Sequence, residues 1–162
     1  MTGSSDDFAA LYRAHAPSVF RRARRLLRSE ADAHDVVSDV FTSLYERPEQ
    51  YNGRCALSTF LYSMTTHACF NRMRSGARRA QLLSEARSPV AFGSVPPAPD
   101  RVAQLCDLLA RMPEPLAHVA VYHYLDELTQ EEIAEILDCT RSHVRSLLAR
   151  LGEWTRTQQE YA

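Results

Sequence analysis

The chain has 162 residues, 45% hydrophobic and 24% charged, which suits one ordinary domain or two small ones and excludes wholesale disorder. Five glycines argue against a glycine-rich phosphate cradle and a turn-rich β-sandwich; no apolar run approaches ~18 residues, so no membrane span is expected. The net charge of −1 is unevenly placed: residues 1–80 hold 12 Arg against 8 acids, residues 81–162 hold 7 Arg against 12 acids, and all 19 basic residues are arginine.

The N-terminal MTGSSDDF carries acids where a secretory signal needs a basic start and an apolar core. A cytoplasmic protein is expected. Phe8, Leu11 and Tyr12, then Val19, Phe20, Ala23, Leu26 and Leu27, recur at three- and four-residue steps and predict helix. Pro17 opens a second helix or kinks a continuous one. The run Arg21–Arg28 reads as a solvated helix face. A third helix is expected from about Ala31 to Glu46, with an apolar stripe of Val36, Val37, Val40, Phe41, Leu44 and Tyr45, ended by Arg47-Pro48. Asp32, Asp35 and Asp39 lie on its other side, with Ser38 between them. Such a row is a solvated face or a docking surface for a basic partner. No basic or histidine partner is placed to make it a reaction centre.

A fourth helix is expected from about Leu57 to Arg74, with Leu57, Phe60, Leu61, Met64 and Ala68 inward. Its Tyr62–Arg79 stretch combines aromatic and polar residues with Arg72, Arg74, Arg78 and Arg79. That is an ordinary helix with a basic solvated end, or a surface that follows a nucleic-acid backbone and stacks on unpaired bases. Four prolines between Pro89 and Pro99 make 81–100 a semi-rigid linker between an N-terminal unit, 1–80, and a C-terminal unit, 101–162. Helices are expected near Asp100–Arg111 and Pro115–Leu125. Alternating strand patterns are absent, so the fold class is all-α.

The sharpest local signal runs from Leu128 to Leu151. Thr129 and Glu132 form a capping box, Ile133, Ala134, Ile136 and Leu137 give the first helix a buried side, and Asp138-Cys139 makes a short turn. Thr140 caps a second helix whose buried side is Val144, Leu147, Leu148 and Leu151. This is a helix-turn-helix. Arg141, Ser142, His143, Arg145, Ser146 and, further along, Arg150 would face a DNA major groove. The alternative is a helical hairpin with a solvated basic face. Cys55, Cys69, Cys106 and Cys139 form no CxxC pair and read as small core residues. No metal, cofactor or catalytic nucleophile–base pair is expected.

These segments, in this order across a linker, resemble the extracytoplasmic-function class of bacterial sigma factors. The resemblance rests on DAHDVVSDVF (Asp32–Phe41), STFLYSMTTHACFNRMR (Ser58–Arg74), MPEPL (Met112–Leu116) and LTQEEIAEILDCT (Leu128–Thr140). It implies two helical domains, domain two and domain four of the larger sigma factors, and a role in promoter-specific initiation with core RNA polymerase as partner. Asp32, Asp35, Ser38 and Asp39 would then contact the clamp helices of the polymerase β′ subunit, with a further contact to the β flap. Phe60, Tyr62, His67, Asn71, Arg72, Arg74, Arg78 and Arg79 would open and read the −10 element as a single strand. Thr140, Arg141, Ser142, His143, Arg145, Ser146 and Arg150 would read the −35 element as duplex. An anti-sigma factor covering these faces is also implied.

The sequence departs from the family pattern at several positions. Phe60 replaces a common Trp, His67 an Asn, Asn71 an Asp, Ala117 an Arg, and Leu147 an Arg or Gln. Asp138 replaces a turn glycine, at a backbone cost if φ there is positive. Two other readings stay open here: a degenerate sigma-like interaction module, and a dimeric helix-turn-helix regulator of duplex DNA.

Overall fold

A computed structural model describes residues 5–86 and 101–160, and among them every regular element is helical. The helices are α1 (Ser5–Leu26), α2 (Glu30–Glu46), α3 (Leu57–Ala86), α4 (Arg101–Arg111), α5 (Glu114–Ala120), α6 (Gln130–Ile136) and α7 (Arg141–Glu160). A 3-10 turn (Pro48–Gln50) follows α2, and a π-helical turn (Val121–Leu125) follows α5.

α1 passes through Pro17 as one continuous helix; of the two expectations for that proline, the continuous helix holds. Ser29 starts α2 by accepting the Asp32 amide on its side chain, supplying one of the caps that a helix N-terminus lacks. α1, α2 and α3 pack on one another. Their shared core takes Val19, Ala23 and Leu26 from α1, the α2 stripe, and Leu61, Cys69 and Phe70 from α3. The expected stripe of α2 is buried at every position but Tyr45, which is exposed and meets the edge of Phe8 at 5.0 Å.

α3 is longer than the sequence suggests. It runs on to Ala86, six residues into the stretch expected as linker. Arg78, Arg79 and Gln81 carry no helix breaker with them, and the prolines begin only at Pro89. The linker reading of 87–100 lies outside the described residues. From Ala86 to Arg101 the chain can reach at most about 50 Å, at ~3.3 Å per residue.

In the C-terminal half, α5 and α6 pack on α7, and α4 lies along α3. The expected helix from Pro115 to Leu125 is α-helical only to Ala120. Asp126 and Leu128 then donate their amides to the carbonyls of Val121 and Tyr122, and Glu127 takes a left-handed φ of 56°. The chain thereby turns into the helix-turn-helix. Leu116, Val119, Tyr122, Ile133, Val144, Leu147 and Leu151 form the core here. Leu147 therefore faces inward, and its departure from the family pattern is a packing choice. Asp138 has a φ of 50°, the positive value that makes the missing glycine costly.

Candidate nucleic-acid interface

The acidic row on α2 does not stand alone. Arg72 of α3 donates from Nε to Asp32 Oδ1 at 2.9 Å, and its Nη2 pairs with Asp35. The basic partner of these two acids comes from the neighbouring helix, 40 and 37 residues along the chain. It also joins one residue expected to touch DNA to two expected to touch polymerase. Ser38 and Asp39 remain exposed.

A cleft of about 670 Å³ lies between α2 and α3. Asp39, Phe60, His67, Asn71 and Arg72 all line it, so one acid of the row and four residues of the −10 segment share a wall. Its volume falls in the range of small-ligand sites. Phe60 sits 5.3 Å from Tyr51, ring centre to ring centre. Arg78 and Arg79 are exposed further along α3.

Tyr62 and Arg74, also expected at the −10 element, are engaged by the C-terminal half. Tyr62 donates to Asp126 Oδ2 and lies nearly parallel to the Tyr122 ring at 5.6 Å. Its hydroxyl is pushed well above the ordinary tyrosine range, first by burial and then by that carboxylate. Asp126 is the hub. Arg22 of α1 donates to its Oδ1 at 2.7 Å, with both side chains almost fully buried, and Arg25 lies 3.3 Å from the same oxygen. The Arg22 guanidinium also donates to Thr66 Oγ1 and sits 4.3 Å over the Tyr62 ring. The run Arg21–Arg28 is thus not wholly a solvated face: Arg22 is 7% exposed.

A second set of contacts lies one turn further along α3. His67 Nδ1 is 2.6 Å from Glu114 Oε1. Arg74 donates to Glu114 Oε2 and to the Met112 carbonyl, each at 3.4 Å. The His67 ring is parallel to that of His118, at 6.0 Å. His118 is buried, and its pKa is lowered to about 4, first by desolvation.

The helix-turn-helix is built as its caps predict. Thr129 and Glu132 close the capping box, with 2.8 Å from the Thr129 amide to Glu132 Oε2. Thr140 Oγ1 accepts from the His143 amide at 3.2 Å. Ser142, His143, Arg145, Ser146 and Arg150 are exposed on α7, as is Arg141, which pairs with Glu131 of α6 at 2.9 Å. Both partners of that pair are well solvated, so it is worth little. Arg54 meets Asp138 of the turn at 2.7 Å, a further contact from the N-terminal half.

Residues 11–79 match the family model for sigma-70 region 2, and residues 108–150 match that for sigma-70 region 4. The chain belongs to the extracytoplasmic-function sigma factors. It is 25% identical to the ECF RNA polymerase sigma factor SigW of Bacillus subtilis, over 96% of this chain and 90% of that one. It is 28% identical to the ECF RNA polymerase sigma-E factor of Haemophilus influenzae, over 77% of this chain and 73% of the relative. Two solved structures share the fold, each at a TM-score of 0.52. One is the sigma factor RpoE in complex with the anti-sigma factor NepR from Bartonella quintana, at 16% identity over 91% of this chain and 92% of that one. The other is CnrH in complex with the cytosolic domain of CnrY, at 20% identity over 99% and 92%.

The sigma factor directs core RNA polymerase to promoters, and its two family regions correspond to the three-helix unit and the helix-turn-helix unit. Among the described residues, no helix is long and apolar enough to cross a membrane. Sequence reasoning missed Arg22, Asp126, Glu114 and His118, the residues that fasten one half to the other. Arg22 carried a faint signal: it lies one position before Ala23 and three after Val19, at the edge of the buried stripe. Asp126 and Glu114 carried none, since their partners lie 104 and 40 residues away.

Proposed function

We propose that this sigma factor is held closed by the contacts of Tyr62, His67 and Arg74 with the C-terminal half, and that its working surfaces are those the cleft brings together. Asp32, Asp35, Ser38 and Asp39 dock on the β′ clamp helices. Phe60, His67 and Asn71 receive an unpaired base of the −10 element in the cleft, and Tyr62, Arg72, Arg74, Arg78 and Arg79 hold the strand. Flipping a base costs a few kcal/mol, which aromatic stacking of ~1–3 kcal/mol per base can offset. Thr140, Arg141, Ser142, His143, Arg145, Ser146 and Arg150 read the −35 duplex, with the C-terminal half on the β flap. The chain supplies binding energy and the polymerase does the chemistry, in the cytoplasm where the polymerase works. An anti-sigma factor would cover these faces; the similar sigma factor RpoE is held in a complex with the anti-sigma factor NepR.

The observation that carries this reading is the pairing of Arg72 with Asp32 and Asp35: polymerase docking and strand capture must both break it, so the two events are coupled. Core-polymerase binding by Asp39→Arg tests the docking face. The exposed site predicts under ~0.5 kcal/mol of lost stability with a clear loss of core affinity. Unchanged affinity would remove the docking assignment.

A further inference from the structure

We propose that His67, Glu114 and His118 form a binding site for a divalent transition-metal ion of the zinc class, one that ties α3 to α5 across the two halves. One ligand atom from each of the three residues lies within 4.8 Å of the others. Zinc with ligands at 2.0–2.2 Å in tetrahedral array spaces them about 3.4 Å apart. His67 Nδ1 and Glu114 Oε1, 2.6 Å apart, would open by about 0.8 Å around the ion, and no spacing has to close by more than about 1.4 Å, within the reach of two partly exposed side chains turning about their own bonds.

The donor set is suited to the ion. Glu114 and His118 stand four residues apart on one helix, the spacing that puts two ligands on one face. His118 Nδ1 lies 3.0 Å from the Glu114 backbone carbonyl. A carbonyl can only accept, so Nδ1 carries the proton and Nε2 keeps the lone pair a metal needs. Such a hydrogen bond to the far ring nitrogen is the usual orienting contact of a metal-bound histidine. His118 is buried and fixed, whereas His67 and Glu114 are about half exposed, which leaves a path for the ion and room for a water ligand. Two imidazoles and a carboxylate favour zinc, cobalt or nickel over magnesium or calcium. Arg74, 3.4 Å from Glu114 Oε2, opposes a cation and weakens the site; it holds that oxygen and leaves Oε1 facing His67.

Bound metal would hold His67 against the C-terminal half and so favour the closed arrangement. That consequence rests on the proposed function; metal binding itself does not. The test is titration of the full chain with Co(II), followed by visible absorption, and competition by Zn(II). One tetrahedral Co(II) per chain without thiolate-to-cobalt charge transfer is expected, weakened at least about tenfold in Glu114→Gln and in His67→Ala. No binding, a thiolate band, or unchanged binding in both variants overturns the proposal. Zinc should also slow association of the wild-type chain with core polymerase and leave Glu114→Gln unaffected. Equal zinc effects on both proteins overturn the coupling. Failure to bind core even with metal removed indicts the sigma-factor surfaces instead.

Discussion

Replacing Asp126 with alanine strips a buried guanidinium of its counter-ion. The Arg22 and Asp126 side chains are 6% and 5% exposed, and Arg22 keeps only Thr66 Oγ1 as a further side-chain acceptor among the described residues. Breaking a buried pair by removing one partner costs about 3–5 kcal/mol, because a charge is left uncompensated. Tyr62 loses its acceptor as well. The closed arrangement should therefore lose at least ~3 kcal/mol, roughly two orders of magnitude in the closed-to-open ratio. If the halves part, Arg22 is hydrated and the loss appears as opening; if they stay together, it appears as lost stability. Small-angle scattering would then show a larger radius of gyration, or urea unfolding a lower midpoint. Asp126→Asn, whose single side-chain oxygen can still accept from Arg22 while its amide nitrogen donates to the Tyr62 hydroxyl, should do less. The double variant Arg22→Met with Asp126→Leu should cost less than Asp126→Ala, since an apolar replacement of both charges avoids their desolvation and leaves only Tyr62 and Arg25 without this acceptor. An Asp126→Ala protein with unchanged midpoint and unchanged dimensions would refute the reasoning that this pair fastens the two halves.

Other outcomes follow from single residues. His118 has its pKa lowered to about 4 by burial, so the unfolded chain takes up its proton first as pH falls below the usual ~6.5; in chelator-treated protein, stability should drop by about 3 kcal/mol between pH 7 and pH 4, and His118→Gln should flatten that slope. Glu127, at a φ of 56°, bears a left-handed strain of ~1–2 kcal/mol against a glycine entropy cost of ~0.5–1, so Glu127→Gly should add about 0.5–1 kcal/mol of stability and raise the thermal midpoint; a lowered midpoint would contradict this. Cys69 is fully buried and its thiol is pushed up to about 12 by desolvation, so mass spectrometry should find it spared by iodoacetamide until the chain is unfolded.

The helices were legible because their signals are local. The α2 stripe, the Thr129–Glu132 capping box and the buried face of α7 each follow from spacing within a few residues. The positive φ at Asp138 was foreseeable through the family resemblance, which implies a glycine at that turn. What the sequence hid is contact between distant segments. Nothing near Asp126 announces Arg22, and nothing near Asp32 announces Arg72. The end of α3 was misread for a different reason: the proline cluster is a strong stop signal, but it acts only on the residues beside it, and the helix continues to Ala86.

The central claim is that the chain makes core polymerase start at particular promoters. Run-off transcription on sheared genomic DNA, with purified protein and core polymerase of the same bacterium, tests it most directly. Discrete transcripts that core alone does not make are the predicted result, and they should weaken with Asp39→Arg or Arg145→Ala. Core binding without any transcript would point to an occupying module that does not initiate, and tight duplex binding without core binding would contradict the account altogether.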